Sequence, residues 1–111
     1  DAMAASGYRE GSYSFGDQEV TVDASGARLA DGTIAGSVAT LDIGVKTLVE
    51  QAGAPPTHAF RMASLNPSRV LGTEHQKGIL AVGKDADLVV MNRQFEVAMT
   101  ILGGEIAYNQ L

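Results

Sequence analysis

The chain has 111 residues, 45% of them hydrophobic and 19% charged, with a formal net charge of −5, enough for one ordered domain with a modest core and unlike a disordered segment. Its eight Lys and Arg residues are scattered, which excludes the concentrated basic stripe of a nucleic-acid interface. No apolar run approaches the roughly 20 residues of a membrane-spanning helix, and the absence of cysteine excludes disulfides, thiolate–zinc sites and a thiol nucleophile and agrees with a reducing, cytoplasmic setting.

Residues 1–36 are rich in glycine and predict loops and short strands. "SYSF-GD-QEVTV" alternates around Gly16-Asp17, the pattern of a hairpin with Val20 and Val22 on one face. Asp31-Gly32 marks a second turn. Residues 37–72 predict helices. Val38, Leu41, Val45, Leu48, Val49 and Ala52 recur at helical spacing, with Ser37 as the expected N-cap and Gly53 as the stop. Gly44 inside this helix costs about 1 kcal/mol relative to Ala, which predicts a close packing contact there. After Pro55-Pro56, "THAFRMASL" predicts a short helix with Met62 in the core. "NPSRVLG" predicts a third, with Asn66 as cap, Pro67 at the first helical position and Gly72 closing it.

Residues 76–111 predict strands. The apolar run Leu88-Val89-Val90-Met91 is one, with Lys84-Asp85 as a turn ahead of it and Met91 in the core. "FEVAMTILGGEIAYN" predicts a hairpin about Gly103-Gly104. These few short strands do not bury themselves, and the stripe on helix 38–52 has no long partner in the chain. Each large stripe residue gains about 1.5–3 kcal/mol on burial, so the sequence reads as part of a larger protein.

The ordered segments "DAMAASG", "LADGTIAGSVATLD", "RMASLNPSRVLG", "KGILAVGKDADLVV" and "TILGGEIAY" resemble, collinearly over all 111 residues, the C-terminal third of the N-acetylglucosamine-6-phosphate deacetylase family, within the amidohydrolase superfamily. The "GKDADLVV" segment is shared widely across that superfamily. "DAM" followed by "DGTIAGS" is more specific to the deacetylases. The resemblance implies an α/β fold, the C-terminal fragment of a (β/α)8 barrel plus the C-terminal strands of a small β-sandwich domain. Residues 1–75 would then be the end of the barrel: the loop leaving strand eight (1–7), a β insertion (8–35), the last barrel helix (37–53) and short helices. Residues 76–111 would belong to the small β domain.

The resemblance also assigns roles. It makes Asp1 the catalytic carboxylate at the end of barrel strand eight, so that the chain begins at the active site; chemistry in such barrels gathers at the C-terminal ends of the strands. Amide hydrolysis needs an activated water, a polarised carbonyl and a proton for the departing amine. A divalent metal supplies the first two, and a carboxylate carries the proton. The family's zinc-like metal is held by a glutamate and two histidines upstream of this chain, so no complete metal site is expected here. His58 and His75 are isolated and read as surface residues, without HxH or HExxH spacing. Ile34, Ala35 and Gly36 resemble the substrate-contacting stretch. A glycine admits close backbone approach, although Gly36 and Ser37 also suffice simply to start a helix. "GKDAD" lacks the spacing of a phosphate loop, and Asp42 reads as a solvated helix residue.

The residues leave three functional readings. The first is part of a deacetylase acting on an amino-sugar phosphate, inert as 111 residues alone. The second is part of another amidohydrolase, dihydroorotase-like or dihydropyrimidinase-like. The third is a non-enzymatic interaction module. Unpaired strand edges predict homo-oligomers or other association, with no nucleic-acid or membrane partner.

Overall fold

In a computed structural model the described residues are 2–111, and the chain divides into two compact units, one ending at Thr40 and one spanning Leu41–Leu111. The first unit is an antiparallel meander of β1 (Gly11–Phe15), β2 (Gln18–Asp23), β3 (Gly26–Leu29) and β4 (Ile34–Gly36), in spatial order β1-β2-β3-β4. Phe15 pairs with Gln18 across the Gly16-Asp17 turn, as the alternation predicts. Val20 and Val22 are both buried because residues two apart share a face of the pleat. They form the core with Ala27 and with Met3 and Ala5 from the segment ahead of the sheet. Met3 is thus a core residue.

The turns are fixed by short polar side chains. The Asp23 carboxylate accepts hydrogen bonds from the Ser25 N–H at 2.7 Å and from its hydroxyl at 2.6 Å. Asp31 accepts the Thr33 N–H at 2.9 Å, and Arg28 donates to the Gly32 carbonyl at 2.9 Å. These bonds favour the ionised acids and hold both carboxyls below their ordinary range: at Asp23 the Ser25 hydroxyl and N–H act first, at Asp31 the Thr33 N–H and hydroxyl.

The second unit opens with α1 (Leu41–Glu50), α2 (Pro56–Ala63) and α3 (Leu65–Val70), followed by β5 (Leu88–Met91), β6 (Val97–Leu102) and β7 (Glu105–Asn109) in one antiparallel sheet. α1 packs on α2 and α2 on α3. Helix α1 starts at Leu41, not at Ser37. Ser37 is extended, bridged to Ala2, and its carbonyl accepts the Met3 N–H, so it is unavailable to open a helix. Its hydroxyl instead accepts the Ala39 N–H at 3.1 Å, and Val38 packs on the first unit's core rather than extending the stripe of α1. The end of α1 agrees with the expectation: Gly53 has φ 68° and the Ala54 N–H returns to the Leu48 carbonyl at 3.0 Å, a glycine-capped terminus.

Other expectations are corrected. A Cβ at Gly44 meets nothing within 4 Å, so no close contact explains that glycine within the chain. Ser64, not Asn66, precedes α3, and no side chain caps it. Gly72 does close α3, with φ 70° and the Thr73 N–H on the Ser68 carbonyl at 2.8 Å. Met62 is exposed, and Met91 is half-buried. Residues 74–87 are turns, bends and irregular chain, and the strands of this region begin at Leu88.

The hairpin about Gly103-Gly104 forms as expected, with Leu102 opposite Glu105 and both glycines at positive φ, 57° and 88°. The "GKDAD" segment holds it. Asp87 accepts the Gly103 N–H at 2.8 Å and the Lys77 ammonium, Lys77 also reaches Asp85 at 2.8 Å, and the Ala86 carbonyl accepts the Gly104 N–H at 3.0 Å. The hydrogen bonds that Lys77 donates to Asp85 and then to Asp87 push its pKa up to about 12, while Lys77 first and the Gly103 N–H second hold Asp87 below its ordinary range. The lysine's contribution is complete below its unfolded value near ~10.4 and is lost as pH rises through about 12. The contribution of Asp87 is complete above ~3.9 and is lost as pH falls through its lower folded value. The Gly103 amide proton is therefore expected to titrate in NMR with a midpoint below that of an ordinary aspartate. High salt moves the midpoint back toward it, because the clasp is solvent-exposed.

Candidate active site

Asp1, the sequence-predicted catalytic carboxylate, lies outside the described residues. The segment after it is well defined. Ala2 bridges Ser37 in parallel register, and the Met3 N–H donates to the Ser37 carbonyl at 2.9 Å. Two turns succeed one another, with the Ser6 N–H on the Met3 carbonyl at 2.9 Å and the Tyr8 N–H on the Ala5 carbonyl at 3.1 Å. Gly7, at φ 81°, supplies the left-handed backbone that ends the loop. Met3 and Ala5 point into the core against Val20, Val22 and Ala27. The residues next to Asp1 are therefore held by main-chain and side-chain contacts together.

The other predicted stretch lies alongside. On β4, Gly36 pairs with Ala27 and Ile34 with Arg28, which leaves Ala35 as the extra residue of a β-bulge. A bulge bends its strand and re-aims the side chains around it. Ile34 is 67% exposed, whereas Ala35 and Gly36 are half-buried and Ala35 packs on the core that receives Met3. The fold thus brings the segment leaving Asp1 beside the end of Ile34–Gly36, through Ser37. Ile34 is exposed, and Ala35 packs on the core.

Sequence reasoning missed two members of this arrangement. Ser37 takes part as an extended residue, and its resemblance to a helix cap concealed that. Ser6, in a run of small residues, carries no periodic or motif signal, yet its hydroxyl donates to the Val38 carbonyl at 3.2 Å, with the Ala39 carbonyl at 3.4 Å.

Among the described residues no three His, Cys, Asp or Glu side chains gather as a metal-binding group. His58 lies in α2 and His75 in the loop after α3, both exposed. These residues do not fit a metal centre of their own. No helix of the described residues is long and apolar enough to cross a membrane.

The model of the amidohydrolase family matches residues 20–107. The chain belongs to the amidohydrolase family. It is 41% identical over 97% of its length to the N-acetylglucosamine-6-phosphate deacetylase of Bacillus subtilis (strain 168) and covers 27% of that protein. Identity is 36% over 96% of the chain to the N-acetylgalactosamine-6-phosphate deacetylase of Escherichia coli O157:H7, of which it covers 28%. The crystal structure of N-acetylglucosamine-6-phosphate deacetylase from Pasteurella multocida superposes with a TM-score of 0.92 at 32% identity, over 98% of this chain and 29% of that one. This amidohydrolase chain therefore spans between a quarter and a third of the length of each of these three relatives.

Proposed function

We propose that the chain is the C-terminal part of a metal-dependent cytoplasmic hydrolase that removes acetate from N-acetylglucosamine 6-phosphate. Residues 1–75 end its (β/α)8 barrel, and residues 76–111 contribute to its small β domain. The observation that carries this reading is the match along nearly the whole chain, in sequence and in fold, to deacetylases of that name. Apolar residues left exposed within the chain, such as Val70 at 88% and Leu80 at 84%, agree with further structure covering them.

In this reading Asp1 is the general base and then the general acid. Its carboxylate accepts a proton as water attacks the acetyl carbonyl. It returns that proton to the amide nitrogen as the C–N bond breaks, releasing acetate and the free amine. Ile34, Ala35 and Gly36 contact the sugar, and the bulge at Ala35 supports that role by keeping the strand end out of a regular ladder. The metal that activates the water in this family is assigned by resemblance to a glutamate and two histidines outside this chain.

The test is acetate release by the full-length protein from N-acetylglucosamine 6-phosphate, with the galactosamine epimer and a dihydropyrimidine as competing substrates. Faster turnover of the epimer moves the assignment to the other sugar, and turnover of the cyclic amide alone overturns it. Purified residues 1–111 are expected to be inert, since a carboxylate alone does not generate the nucleophile. They are also expected to self-associate through uncovered strand edges, which sedimentation will detect.

A further inference from the structure

We infer that Ser6 is a positioning residue for the reaction, clasping the loop that carries Asp1 to the segment after Ile34–Gly36; this rests on the reading of Asp1 as the proton carrier. A proton carrier must stand within hydrogen-bond reach of the atom it serves, and displacement of about 1 Å costs orders of magnitude in rate. The residues after Asp1 form no strand beyond the single bridge at Ala2. Their position relies on three anchors. Met3 and Ala5 are buried in the core, the Met3 N–H is spent on the Ser37 carbonyl, and the Ser6 hydroxyl donates to the Val38 carbonyl across 32 residues of sequence.

The Ser6 anchor differs from the other two. The core contacts fix the loop against the sheet, and the bridge fixes its start. Among the described residues only the hydroxyl ties its far end, at the turn into Gly7, to residues 38–39, which have no regular structure of their own and offer carbonyls that no ladder uses. The Val38 side chain packs on the same core, so this acceptor is itself held in place. A rigid acceptor and a half-buried donor make a clasp, and the group it steadies is the peptide leading back to Asp1.

The test uses the full-length protein with Ser6→Ala, Ser6→Thr and, as a control, Asp1→Asn. A neutral hydrogen bond contributes a few-fold to about tenfold in an equilibrium. Ser6→Ala is accordingly expected to lower kcat about five-fold while KM stays within about two-fold, the pattern of an interaction that acts on the chemical step. Amide exchange at Met3 should quicken by a similar factor, and Ser6→Thr, which keeps the hydroxyl, should restore both. A kcat for Ser6→Ala within about two-fold of the unaltered protein, or unchanged exchange at Met3, overturns the clasp, as does a lower melting temperature with kcat intact. Full turnover by Asp1→Asn instead brings down the reading of the carboxylate, and the positioning role falls with it. An inactive Asp1→Asn beside a normal Ser6→Ala rejects the clasp alone.

Discussion

Asp1→Asn in the full-length protein is expected to reduce acetate release by about 10²–10⁴-fold, the range that general acid–base catalysis ordinarily contributes. The amide preserves size and one acceptor oxygen but does not take up a proton at neutral pH. Substrate contacts assigned to Ile34–Gly36 are untouched, so KM should change little. Both proton transfers run through the same group, so the loss should appear in kcat and in kcat/KM alike. A stopped assay for acetate across a range of substrate concentrations reads both constants. Retention of full turnover would remove the carboxylate from the mechanism, whatever the protein's substrate.

Gly78→Ala carries the largest expected effect on stability. A Cβ at Gly78 would stand 2.7 Å from the Ser68 hydroxyl oxygen, 2.9 Å from the Ser68 Cβ and 3.1 Å from the Leu65 Cα. The backbone there has φ 95°, a region that residues with a side chain rarely adopt. Nothing can move aside cheaply. Ser68 is buried and bonded through its hydroxyl to the Ser64 carbonyl at 3.0 Å, and Ser64 in turn donates to the Gly78 carbonyl at 3.1 Å. Overpacking and backbone strain together are expected to cost about 2–4 kcal/mol. The midpoint of urea unfolding for the second unit should fall accordingly. Gly44→Ala is the internal comparison: it meets open space in a helix and should move the midpoint the other way by up to about 1 kcal/mol. Adding Ser68→Gly to Gly78→Ala removes the two closest atoms and should recover part of the loss, leaving the cost of φ.

The two units differ in how far their contacts were legible in the residues. The meander of the first is written in alternation and turn chemistry. Val20 and Val22 fall on one face because the pleat has a period of two, and Gly16-Asp17 and Asp31-Gly32 stand where the chain reverses. The beginning of α1 was not legible. Ser37 has the chemistry of a helix cap, and Val38 continues an apolar period of 3.6. Both are claimed instead by residues of the first unit far from them in sequence, Ser37 by Met3 and Val38 by the core around Val20. Local preference at a cap is worth about 1 kcal/mol, and a bridge plus core burial outweighs it. The same limit explains Asn66 and Gly44, whose environments depend on what packs beside them.

At the candidate site, the resemblance of the motifs supplied both the choice of Asp1 and Ile34–Gly36 and the roles proposed for them. The bulge at Ala35, the parallel bridge between Ala2 and Ser37 and the hydroxyl of Ser6 were decided only in three dimensions. Hydrophobic period and turn residues act over a few neighbours, so strands, hairpins and helix ends such as Gly53 and Gly72 are fixed along the chain itself. Which half-buried carbonyl receives which donor depends on contacts between segments far apart in sequence. Those contacts exist only once Met3 and Ala5 have found the sheet.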